Sequence, residues 1–157
     1  MKEVAVLILV ALMLNGCGSS TTTAQTASGG VWQSQMIGGD GAASGFSFIT
    51  QFSVGGNGAL SISSFQFLTS GTCFPVTGGT QSGTLVATSN SANVVTGTFS
   101  FTVTSTGNTL TLTSTSVTGT LNGTTLTGGS ITGTWALQGT STGCTSAGGT
   151  FTMTQSA

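Results

Sequence analysis

The chain has 157 residues, about the size of one domain, and only Lys2, Glu3 and Asp40 are charged. It contains no His, Arg or Tyr. Without a basic patch it offers no electrostatic attraction to nucleic acid or to an anionic membrane surface. Disorder is not expected, because Val, Ile, Leu, Met, Phe and Trp recur from Val31 to Met153 and suffice for one modest core.

Val4 to Leu14 is an unbroken apolar run of eleven residues behind Lys2. As a helix it spans roughly 16 Å, about half a bilayer core, which suits a signal-peptide core and not a transmembrane helix. The run ends in Leu14-Asn15-Gly16-Cys17. This segment resembles the lipobox of bacterial lipoproteins. The resemblance implies cleavage after Gly16 and lipidation of Cys17, so residues 1–16 are expected to be a signal peptide and the partner of the mature N-terminus to be a membrane. Several acyl chains, each contributing about 0.8 kcal/mol per buried CH₂, hold such a protein on a bilayer essentially permanently. By the same resemblance Gly18, standing where an Asp commonly retains lipoproteins in the inner membrane, implies the outer membrane. Residues 17–29 carry the lipidated Cys and a small, polar, aperiodic tether that reaches up to about 40 Å when extended.

From residue 30 to residue 157 the hydrophobic period is two. Phe46, Phe48, Thr50, Phe52 and Val54 share one face, as do Phe99, Phe101 and Val103. Leu110 and Leu112, then Val117 and Leu121, then Ile131, Trp135 and Leu137, then Phe151 and Met153 repeat the pattern, with Thr and Ser mostly between. Alternation of this kind predicts strands with one buried and one wet face. Gly55-Gly56-Asn57-Gly58, Thr106-Gly107-Asn108 and Asn122-Gly123 predict turns, the last a two-residue hairpin turn. The expected fold is all-β: an antiparallel meander of eight to ten short strands, closed as a small β-barrel or, alternatively, packed as a β-sandwich. Val95-Thr96-Gly97-Thr98, Val117-Thr118-Gly119-Thr120 and Ile131-Thr132-Gly133-Thr134 are near copies at unequal spacing, which suits glycine bends in a barrel and not a regular solenoid.

Gly30-Val31-Trp32 opens this domain. It is similar to the G-x-W that begins the first strand of lipocalin-like barrels, where the Trp closes one end. That resemblance implies a binding module for a small apolar or uncharged ligand, for which Trp32, Phe46, Phe48, Phe99, Phe101 and Trp135 are the candidate lining. A membrane-spanning barrel is not expected, since the chain lacks Tyr for aromatic girdles and ends in Gln155-Ser156-Ala157.

Three cysteines are odd for an exported protein until Cys17 is assigned to lipid. Cys73 and Cys144 then remain, and a disulfide between them is the economical reading. Catalytic chemistry is not expected. Hydroxyls abound, but beyond the leader there is no His or Lys to serve as a base, and one acid cannot form a carboxylate pair. Asp40, in Gly38-Gly39-Asp40-Gly41, suits a turn better than a calcium site, so neither metal nor cofactor is expected. The resulting expectation is an envelope lipoprotein whose domain has a structural or surface-interaction role, with the small-ligand binding module as the alternative.

Overall fold

The computed structural model describes residues 30–39, 43–89, 95–122 and 125–156. The leader, Cys17, the tether and Asp40 lie outside the described residues. Eight strands follow in chain order: β1 (Trp32–Gly38), β2 (Ser47–Val54), β3 (Leu60–Thr69), β4 (Thr80–Ser89), β5 (Val95–Ser105), β6 (Asn108–Asn122), β7 (Thr125–Gly139) and β8 (Ser146–Gln155). They form one antiparallel sheet in the order β3-β2-β1-β8-β7-β6-β5-β4. The sheet is a nearly closed barrel and not a sandwich: β1 pairs with β8, so the first and last strands meet, and the Ser156 amide donates to the Val31 carbonyl at 2.8 Å.

The period of two is realised residue by residue. Phe46, Phe48, Thr50, Phe52 and Val54 are all buried, as are Phe99, Phe101 and Val103. Outward positions are mainly Thr, Ser and Gln; among the described residues Ile37, Leu68, Val76 and Val86 are exposed large apolar side chains, and Ile49 is half-buried on the same outer side. A membrane-spanning barrel would carry its apolar band on that outer side. Where the apolar phase slips, the ladder slips too. Leu110 and Leu112 are even and Val117 is odd, and Thr115 is an extra residue between the pairs Ser114↔Gly133 and Ser116↔Thr132. One bulge therefore returns Val117 to the interior, where it is 2 % exposed. At the same place β6 leaves β5. Their ladder ends at Ser100↔Thr113, and the Phe99 amide donates instead to Ser114 Oγ at 2.7 Å.

The Thr-Gly-Thr copies mark close approaches of this kind. A Cβ at Gly133 would collide with the Thr113 carbonyl oxygen opposite the β6 bulge, and one at Gly97 with the Val86 carbonyl oxygen. Both glycines let the sheet coil tightly enough to close at eight strands. Gly133→Ala is expected to destabilise the fold by about 1–3 kcal/mol, read from a urea melt, because backbone must move to admit the methyl group. The Asn122-Gly123 hairpin is displaced by one residue from its expected position. Asn122 pairs with Thr125, which leaves residues 123 and 124, outside the described set, as the connection.

Closure is incomplete at one place, between β3 and β4. Among the described residues they are joined by a single bridge, Ala59↔Thr84, and by the Leu85 amide donating to the Gly58 carbonyl at 2.8 Å. β3 carries two extra residues against β2, Ser63 and Leu68, each a bulge of the kind that bends a strand locally. The connection from β3 to β4 is also long, residues 70–79, and it folds back over the gap: the Phe67 amide donates to the Val76 carbonyl at 2.8 Å.

Candidate functional site

The six rings proposed as a lining all lie inside the barrel, each 2 % exposed or less. Trp32 opens β1 at the rim where the chain enters and stacks on Phe52, with ring centroids 5.7 Å apart. Trp135 lies towards the opposite rim, against Phe46 at 5.6 Å, and its Nε1 donates to the Ile37 carbonyl at 3.1 Å. Phe48, Phe99 and Phe101 stack in sequence between the two rims, Phe48 on Phe101 at 5.5 Å and Phe101 on Phe99 at 6.1 Å. The structure therefore gathers the six residues, but as a ring-to-ring packed interior. Eight strands enclose a space that side chains of this size can fill.

The rim at Trp135 is the more elaborate of the two. Cys73, in the β3–β4 connection, is bonded to Cys144, in the β7–β8 connection, across 71 residues with their Cα atoms 5.6 Å apart. Asn108, at the start of β6 and 4 % exposed, donates from Nδ2 to the Cys73 carbonyl at 2.6 Å and to Ser141 Oγ at 3.2 Å. One side chain thus ties three connections together, while its Oδ1 is buried without a partner. Ser34 Oγ, fully buried in the middle of β1, also lacks one. Among the described residues no three of His, Cys, Asp or Glu cluster as metal ligands would.

The outer face holds a feature that the strand pattern alone does not reveal. A recess of about 330 Å³ opens on β2 and β3 beside the point where the chain enters β1, bordered by Val31, Ile49, Gln51, Ser64, Phe65 and Gln66. The register places Gln33 and Gln66 on either side of Ile49, and Gln51 opposite Ser64. Ser64 Oγ donates to Gln51 Oε1 at 3.3 Å. With Gln35, four of the eight glutamines of the chain fall on β1, β2 and β3 at outward positions, where the other strands present mostly Thr and Ser. A compositional signal existed in the wet half of the alternation, but only the register brings these amides together.

Compared with protein-family models, with characterised proteins and with solved structures, the chain matches none.

Proposed function

We propose that the chain is a lipoprotein of the cell envelope, anchored through Cys17 to the outer membrane, whose barrel serves as a structural or surface-interaction domain. It acts without catalysis or cofactor in this reading. The observation that carries the role of the domain is its interior. Trp32, Phe46, Phe48, Phe99 and Phe101 are fully buried and packed ring on ring, so the domain offers partners its outer surface. That packing favours the structural reading over a lipocalin-like site for a small apolar ligand inside the barrel. The outer surface carries almost no charge, so its contacts with envelope components are made by hydroxyls and amides.

The anchor rests on Leu14-Asn15-Gly16-Cys17, and cysteine pairing supports it. With Cys73 bonded to Cys144, Cys17 is the one cysteine left for another bond. Cys17→Ser is expected to abolish incorporation of labelled palmitate in a bacterial host and to move the protein from the membrane fraction to the soluble fraction. A variant that stays in the membrane fraction, or an unlabelled parent, refutes the anchor without touching the role of the barrel.

A further inference from the structure

We propose that the recess on the outer face of β1, β2 and β3 is a binding site for a neutral saccharide ring. The proposal rests on the surface-interaction reading and names the chemistry of the partner. Three observations on this face converge.

First, the recess is bordered by both kinds of group that a sugar ring needs. Ile49 and Val31 are half-buried, leaving apolar surface for the C–H face of a pyranose, while the Phe65 ring at the same border turns inward onto Phe48 and Phe101. Gln51 and Gln66 border the same space, with Gln33 beside Ile49 on the neighbouring strand. A primary amide offers two donors and an acceptor with two lone pairs, which matches hydroxyl groups that both give and take hydrogen bonds. The Ser64 hydroxyl donates to Gln51 Oε1 and so holds that amide at the border of the recess.

Second, the recess is small and local. A volume of about 330 Å³ lies at the lower end of ligand sites, the size of a compact uncharged ligand and not of a protein segment. Its shape follows from β3, where the extra residue Ser63 breaks the pairing between Gln51↔Ser64 and Phe52↔Ile62 directly beside the site. Bulges of this kind re-aim side chains next to functional sites.

Third, no charged side chain lies on β1, β2 or β3. An anionic sugar would gain nothing there and would lose hydration, so the site selects a neutral ring.

The test uses the full chain in detergent, labelled with ¹⁵N at glutamine side chains and titrated with three probes. These are a tetramer of N-acetylglucosamine, a neutral glucose tetramer and an anionic galacturonate tetramer. At least one neutral probe is expected to shift the Gln33, Gln51 and Gln66 amide signals saturably, while those of Gln138 stay put and the anionic probe has no effect. Gln51→Thr and Gln66→Thr keep strand-forming residues at outward positions, and each is expected to weaken binding by up to about tenfold, the loss of one hydrogen bond. Absence of shifts with both neutral probes, equal shifts with the anionic one, or shifts spread over β5 to β8 overturns the proposal. Pull-down of the same protein by isolated, unfractionated envelope material separates the two levels. Retention without saccharide shifts leaves the surface-interaction reading standing and removes the saccharide, whereas loss of both removes both.

Discussion

Replacing Cys73 and Cys144 together by Ser is expected to lower the stability of the domain by about 4 kcal/mol and its melting temperature by on the order of 15 °C. The magnitude follows from the 71-residue separation of the bonded pair, since closing so long a loop removes much conformational freedom from the unfolded chain. A folded-state effect adds to it at a definite place. Cys73 anchors the connection that folds back over the gap between β3 and β4, and Phe74, next along the chain, is 5 % exposed and stacked on Phe67 at 5.2 Å. Without the bond that connection is held by Asn108 to the Cys73 carbonyl, by Ser70 Oγ to the Phe74 carbonyl at 2.9 Å and by the Phe67–Val76 backbone bond. The variant should therefore keep its strand spectrum below the transition, yet be cut by protease within residues 70–79 before any other described connection. Urea melts of parent and double variant measure the first effect, and limited proteolysis the second. A difference under about 1 kcal/mol would mean that the reduced unfolded chain is already compact, so that the bond restricts little.

The disulfide and the faces of the strands were legible in the sequence for a common reason: each depends on counting within one segment or one residue type. Phe46 to Val54 alternate in and out because a strand has period two, whatever it pairs with. Cys73 and Cys144 were paired by elimination, and no geometry was needed. Closure was only partly legible. Eight amphipathic strands imply burial of one face, but not that β1 would pair with β8, nor that the weak join would fall between β3 and β4. β3 holds two bulges, at Ser63 and Leu68, ordinary strand residues whose status as extra residues exists only against the partner strand. The displaced hairpin turn has the same origin. Asn122-Gly123 has strong local turn chemistry, but β7 holds two residues, Gly128 and Gly129, against one on β6 between Thr118↔Ser130 and Thr120↔Thr127, and the register at the tip follows from that mismatch. The recess was illegible for a related reason: its amides, Gln51 and Gln66, come from two strands and meet only through register, on the wet face, where hydrophobic periodicity says nothing about which polar residue stands where. The lining predicted from the lipocalin-like motif named residues that do converge, and side-chain volume decided that they converge as a filled interior.

Phe101→Ala is expected to cost about 3–5 kcal/mol, and to loosen the barrel at one place in particular. The ring is fully buried and contacts Phe48 of β2 at 5.5 Å, Phe65 of β3 at 5.9 Å and Phe99 of its own strand at 6.1 Å, all stacked. β3 and β5 stand on opposite sides of the incomplete join, with β4 between β5 and the gap. The Phe65–Phe101 stack therefore links the two sides through the interior where the backbone ladder scarcely does. Removing the ring deletes that link along with its buried area, and a cavity lined by three large rings is hard to collapse. Amide hydrogen exchange distinguishes this from a general loss of core. In Phe101→Ala the amides of β3 and β4 should exchange at a lower opening energy than those of β7 and β8, beyond the shift in global stability. Phe151→Ala is the control. Phe151 is 2 % exposed and sits on β8, paired on both sides to β1 and β7, so its removal should cost a similar amount without singling out β3 and β4. Equal patterns in the two variants would show that the join is held by its few backbone bonds and not by the rings. Combined with loss of the disulfide, Phe101→Ala brings the summed cost to about 7–9 kcal/mol, within the range of total stability of a domain this size. The two changes loosen the same join from the rim and from the interior, so their effects should exceed the sum of the singles in exchange at β3 and β4, and the triple variant should be largely unfolded at 37 °C.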